Sequence, residues 1–265
     1  KSNIRLEPPK RIIRLFKKNY KNYHMKRQGE EFVSFRHPNE TKSEILKRGI
    51  IGDSEWEDQR SYDRIFESSW KERYEWEKDI LVNIIKDNKC KKIIELGPGP
   101  GVLCNKILKE EPNLDYHLID IEAAKVANKK ENLGGTFHVQ DLTNDLDTSN
   151  LPDGSDLFIA NDFLEHIQNP ANVVLKAKST LKEDGLAFIS VPNWRMGHTW
   201  IYRGLFDWDN FIHFMWQHGF QFSGYFPSNL QCTNTPKLPS EKTMPDEMIT
   251  SWNWYILFKR NDNEK

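Results

Sequence analysis

The chain of 265 residues reads as an α/β protein: a doubly wound, mostly parallel sheet of seven strands, preceded by a helical extension. Three observations carry that reading. Between residues 91 and 192, short apolar runs alternate with amphipathic segments, the pattern of parallel strands joined by crossover helices. A glycine-rich loop follows the first run. Asp120 closes the second run about 20 residues further on, where doubly wound folds hold an acid.

The elements follow in order. Apolar runs at 92–96, 116–121, 136–139, 156–160 and 186–191 read as strands one to five. Helical patterns occupy 102–111 and 123–132, and a third begins near Pro170. Pro192 stops the fifth strand. A helix at 209–218 and runs at 220–225 and 252–258 complete the pattern, and the last two runs are expected to add an antiparallel edge. Before the sheet, Ile65, Phe66, Trp70, Tyr74, Ile80, Leu81 and Ile84 recur at helical spacing. The chain therefore divides into a basic arm (1–54), cover helices (55–88) and a main domain (89–265).

Composition narrows the class. Hydrophobic residues make up 37% and charged residues 29%, enough apolar surface for a core. No apolar run approaches the ~20 residues of a membrane span, and no signal-peptide pattern opens the chain. Cys90, Cys104 and Cys232 are widely spaced and form no CxxC, as expected of reduced thiols in a cytoplasmic protein. The net charge of −1 is unevenly placed: residues 1–27 hold ten Lys or Arg against Glu7, so the arm carries +9 and the remainder −10. An arm of this kind suits an anionic membrane surface, a nucleic acid, or plain solvent.

Glu95-Leu96-Gly97-Pro98-Gly99-Pro100-Gly101 is the strongest local signal. Glycine lets the backbone turn tightly and approach a ligand closely. Dinucleotide loops read G-x-G-x-x-G and present N–H groups to a pyrophosphate. Here Pro98 and Pro100 remove two such groups, so the loop suits a ligand without phosphates. The plainer reading is a Gly/Pro turn. Asp120 is placed to accept hydrogen bonds from two ribose hydroxyls, or to cap the helix that follows.

These residues, with Gln140-Asp141-Leu142 after the third strand and Asn161-Asp162-Phe163-Leu164-Glu165-His166 after the fourth, resemble the class I S-adenosylmethionine (SAM)-dependent methyltransferases, over roughly residues 75–260. The stretch 162–167 resembles the small-molecule branch, and Val191-Pro192-Asn193 resembles its sugar and polysaccharide members, which implies a role in polysaccharide biosynthesis. The resemblance implies a Rossmann-like methyltransferase fold and SAM as cofactor. It implies that Gly97, Gly99 and Gly101 line the methionine part and that Glu95 braces the loop or the cofactor's amino group. It further implies Asp120 on the ribose, Ile121 on adenine, Asp141 and Leu142 at the adenine edge, and Asn161 and Asp162 beside the methionine tail and methyl. Arg73, on the cover helices, is placed to meet the cofactor carboxylate.

Absences sharpen the class. No Asp-Pro-Pro-Tyr or Pro-Cys follows the fourth strand, and no His/carboxylate cluster suggests a metal. The expected chemistry is direct transfer to an oxygen of a small-molecule or glycan acceptor. A hydroxyl nucleophile benefits from a base. His166 is the first choice and His198 the second; either also suits a structural role. Trp194, Arg195, Trp200, Tyr202 and Arg203 form an aromatic, cationic loop suited to the acceptor, or a packed lid. An RNA methyltransferase anchored by the arm, or a SAM-binding scaffold without turnover, are the alternatives.

Overall fold

The computed structural model describes residues 68–142, 145–167, 169–192, 208–227 and 253–262. The basic arm, residues 55–67 of the cover stretch and the loop at 193–207 lie outside the described residues.

Helix α1 (Ser68–Asp87) buries Ile80, Leu81, Ile84 and Ile85, one stripe at three- and four-residue spacing. The chain then alternates: β1 (Lys92–Leu96), α2 (Val102–Glu110), β2 (Asp115–Asp120), α3 (Glu122–Lys130), β3 (Thr136–Val139) and β4 (Ser155–Asn161). A 3₁₀ turn (Leu164–His166) leads to α4 (Pro170–Thr180), where Pro170 sits in the first turn and Asn169 Oδ1 accepts the Asn172 N–H at 3.3 Å. Strand β5 (Leu181–Pro192), α5 (Trp208–Gln217), β6 (Phe220–Pro227) and β7 (Asn253–Arg260) complete the order.

The seven strands form one sheet in the order β3-β2-β1-β4-β5-β7-β6. The first five are parallel, and β7 runs antiparallel to both neighbours. This is the expected doubly wound, mostly parallel sheet of seven strands. The expected antiparallel edge is present, and its two strands do not follow chain order. β7 is inserted between β5 and β6, so β6 alone is the edge. The reason is burial. Residues 254–258 are buried without interruption, the pattern of an interior strand covered on both faces, whereas β6 exposes Gln221. Strand β5 also begins earlier than its apolar run: Leu181 pairs with Ser155, and an irregularity separates that pair from Leu157↔Leu186.

Both faces are covered. Helices α1 and α2 lie over Ile93, Leu118, Ile159, Phe188 and Tyr255. Helices α4 and α5 lie over Ile94, Phe158, Ile189, Trp254 and Phe258. Trp208, the first residue of α5, is buried in the core: it meets Tyr225 and Trp254 edge-on, with centroids at 5.8 and 5.6 Å. Among the described residues no helix is long and apolar enough to cross a membrane.

Candidate functional site

Parallel strands point their C-terminal ends one way, and the crevice there is where open α/β sheets bind ligands. Glu95, Asp120, Asn161 and Ser190 stand two residues beyond Ile93, Leu118, Ile159 and Phe188, so alternation puts them on the face under α1. Pairing sets Asn161, Ser190 and Tyr255 in one row. The apolar face under α1 thus ends in a polar rim.

The loop after β1 is built on left-handed glycines. Gly97, Gly99 and Gly101 have φ of 65°, 55° and 84°. At Gly97 there is also no room: a Cβ would lie 2.3 Å from Phe163 Cδ2. The Gly97 N–H donates to the Ile119 carbonyl at 3.0 Å, which ties the loop to β2. Pro100 has no N–H, and its carbonyl accepts from Asn128 Nδ2 at 2.8 Å. Beneath the loop, buried Glu95 accepts from the Tyr116 hydroxyl at 2.9 Å, and burial pushes its carboxyl up to about 8.

Asp120 ends β2 beside this loop. Its Oδ2 accepts the Gly99 N–H and its Oδ1 the Ile121 N–H, each at 2.8 Å. Burial pushes its carboxyl up to about 7, against the pull of those two hydrogen bonds. A carboxylate has about four lone-pair sites, so two remain for a ligand. Ile121 caps α3 and is half-buried. The Gln140 N–H bonds the Asp120 carbonyl at 2.9 Å, which brings the end of β3 alongside; Asp141 there is exposed and Leu142 buried.

The turn after β4 is polar and strained. Asp162 has φ 47°, a left-handed conformation rare outside glycine. Its N–H donates to the Ser190 carbonyl at 3.1 Å and to Ser190 Oγ at 2.9 Å. Its Oδ1 accepts from Ser190 Oγ at 2.7 Å and from Asn253 Nδ2 at 2.6 Å. Its Oδ2 pairs with the Arg73 guanidinium at 2.6 Å. Arg73 also pairs with Glu77 at 2.7 Å and lies 5.8 Å from the Tyr255 ring centre. The Tyr255 hydroxyl donates to Glu77 at 2.6 Å. Burial raises the Glu77 carboxyl, while Arg73 and Tyr255 pull it back. This network fastens α1 to the ends of β4, β5 and β7.

The fold thus brings together Arg73, Glu95, the three glycines, Asp120, Asn161 and Asp162. His166 is half-buried in the turn after β4. His198, Trp194, Arg195, Trp200, Tyr202 and Arg203 lie outside the described residues. Sequence reasoning missed Glu77, Ser190, Asn253, Tyr255 and Glu165. Two of them left a signal: Glu77 is an acid in the apolar stripe of α1, and Ser190 is the polar residue of the run 186–191.

The residues present fit a cofactor with a ribose and a polar tail. The glycine cradle admits close approach, Asp120 keeps acceptor capacity, and Asn161 Oδ1 and Nδ2 are buried without a hydrogen-bond partner among the described residues. No group of three or more His, Cys, Asp or Glu among the described residues is arranged to hold a metal.

Comparison with known proteins agrees. The family described as "Methyltransferase domain" matches residues 69–225, more than half of the chain. Two malonyl-[acyl-carrier protein] O-methyltransferases of Ilyobacter polytropus are 29% and 31% identical over 98 and 102 residues, which cover 37% and 38% of this chain. The matched stretch spans only 38% of the length of either relative. The plantazolicin methyltransferase BpumL, solved with a triazolic desmethyl analogue and S-adenosylhomocysteine (SAH), aligns with a TM-score of 0.55 at 14% identity, covering 83% of this chain and 100% of that one. A SAM-dependent methyltransferase from Clostridium acetobutylicum aligns with a TM-score of 0.52 at 11% identity, covering 71% and 92%. Fold, rim and family match converge, and the chain belongs to the methyltransferase-domain family, the class I SAM-dependent methyltransferases.

Proposed function

We propose that this chain transfers the methyl group of SAM to an oxygen of a small acceptor, with a sugar hydroxyl as the acceptor class. The observation that carries the cofactor half is the coupling of the glycine loop to Asp120 through the Gly99 N–H. Oxygen is supported by the O-methyltransferase names of the two curated relatives. The sugar is supported by the resemblance carried by residues 191–193, and the division at 54 and 88 belongs to the same reading.

Bound SAM supplies a methyl group activated by a sulfonium sulfur. Gly97, Gly99 and Gly101 would line its methionine part, Asp120 would hold the ribose, and Ile121, Asp141 and Leu142 would border adenine. Asn161, whose amide has no hydrogen-bond partner among the described residues, would face the tail. Arg73 is engaged by Asp162 and Glu77, so its part is to hold α1 over the site and exclude water. The chain then aligns the acceptor oxygen behind the methyl carbon. His166 would take the hydroxyl proton, with His198 in the acceptor loop as the second choice.

Calorimetry on the full chain is expected to show one SAM or SAH bound per protein. Methyl incorporation across an acceptor series from glycans to RNA identifies the substrate. His166→Gln is expected to lower turnover ~10²–10⁴-fold with SAM affinity nearly unchanged. Full turnover in that variant, with loss in His198→Gln, moves the base into the acceptor loop.

A further inference from the structure

Three glutamates are buried at the rim, and they differ in partners. Glu77 has Arg73 and Tyr255, and Glu95 has Tyr116. Glu165, in the turn Leu164–His166, is 0% exposed, and neither of its oxygens has a hydrogen-bond partner among the described residues. It lies within the electrostatic reach of both members of the Arg73–Asp162 pair. Four residues earlier, the Asn161 amide likewise has no hydrogen-bond partner among the described residues.

A carboxylate enclosed without a donor does not stay ionised, because desolvation opposes the charge. Burial, and then the charge of Asp162, accordingly hold the Glu165 carboxyl well above the carboxylate range, against the smaller pull of its own backbone N–H and of Arg73. Arg73 does not reverse this, since its guanidinium is spent on Glu77 and Asp162. An acid whose oxygens find no hydrogen-bond partner elsewhere among the described residues costs the free protein stability and calls for a reason in the bound one. Cation chemistry supplies that reason: a fixed positive charge beside the turn offsets the desolvation and favours the anion.

We propose that Glu165 senses the charge on the cofactor's sulfur, carrying a proton when the end of β4 faces no cation and releasing it to solvent when a sulfonium is held there. This rests on the SAM reading above. SAM and SAH share ribose, adenine and tail, and differ in one methyl group and one positive charge. Transfer turns the sulfonium into a neutral thioether while the acceptor hydroxyl gives up its proton to the base. Glu165 then takes a proton back from solvent, and the site loses its preference for the product. No bond forms between Glu165 and substrate. Among the described residues the charged groups that act on it are Asp162, just after β4, and Arg73 from α1, and His166 follows it on the turn.

The sign follows from linkage. SAM favours the ionised acid, so its affinity relative to SAH rises with pH until Glu165 is already ionised in the free protein, and is level above that. Calorimetry on the full chain, in buffers of different ionisation enthalpy, counts the protons released. Up to about one more proton is expected for SAM than for SAH, and the affinity ratio is expected to rise up to about tenfold per pH unit. In Glu165→Gln both differences are expected to vanish while SAH binding persists. Equal release for SAM and SAH, or an unchanged difference in Glu165→Gln, overturns the inference and leaves the SAM reading standing; no binding of either ligand overturns both. If Glu165→Gln does not fold, the wild-type ratio decides alone, and a flat ratio across pH is the overturning result.

Discussion

The turns after β1 and after β4 bracket the same crevice and are built in opposite ways. The first satisfies itself. Its glycines take the left-handed turns, the Gly97 N–H reaches β2, and Asp120 ties down the Gly99 N–H. The second is held from outside by Ser190, Asn253 and Arg73, and still leaves Asn161 and Glu165 with polar atoms unpaired among the described residues. A turn complete in itself is a pre-formed cradle that binds without rearranging. A turn with unpaired groups is less stable alone and gains when a ligand completes it. On the proposed reading, recognition falls to the first turn and response to the reaction to the second.

The largest expected effect comes from breaking the cradle. Gly97→Ala places a methyl against the Phe163 ring and holds a non-glycine residue at φ 65°. Overpacking and left-handed strain together cost about 2–5 kcal/mol, read as a lower thermal midpoint and loss of SAM binding. A variant that binds SAM as the wild type does would show that the loop is not a cradle.

Next in size is Asp120, the acid proposed to hold the ribose. Asp120→Ala is expected to weaken SAM and SAH alike by about 1–3 kcal/mol, the cost of a lost hydrogen bond to a charged group. The folded carboxyl sits near 7, so both ligands should bind less well as pH falls below about 7, where the acceptor is protonated. Because that dependence is shared, it leaves the SAM-to-SAH ratio untouched. Binding titrations at several pH values in wild type and Asp120→Asn test it; a wild-type pH profile in Asp120→Asn would remove Asp120 from the site.

The smallest effect should carry the opposite sign for the fold. Asn161→Leu replaces an unpaired buried amide by an apolar side chain of similar size, so the ligand-free protein should keep its stability or gain up to about 1 kcal/mol. SAM affinity should fall at the same time. Denaturant melts with and without SAH measure both. Destabilisation of the free protein by this change would mean that the amide is satisfied and that the two turns do not differ in kind.

By itself the sequence determined what depends on near neighbours. The alternation of 91–192, the glycine loop, and the acid closing the second run follow from periods of two and 3.6 and from backbone freedom, and each is local. Those features placed Glu95, the glycines, Asp120 and Asn161 at strand ends before any coordinates. The tertiary structure decided what depends on distant pairing. It inserted β7 between β5 and β6, set Asn161, Ser190 and Tyr255 in one row, and brought Arg73 to Asp162 and Glu77 to Tyr255. It also buried Glu165 with no hydrogen-bond partner for its oxygens among the described residues, although its neighbours in sequence, a leucine and a histidine, do not announce it. Period tells which face a residue takes within its own element. Which strand comes next, and so which charges meet, is settled only when the layers close and water is excluded from between them.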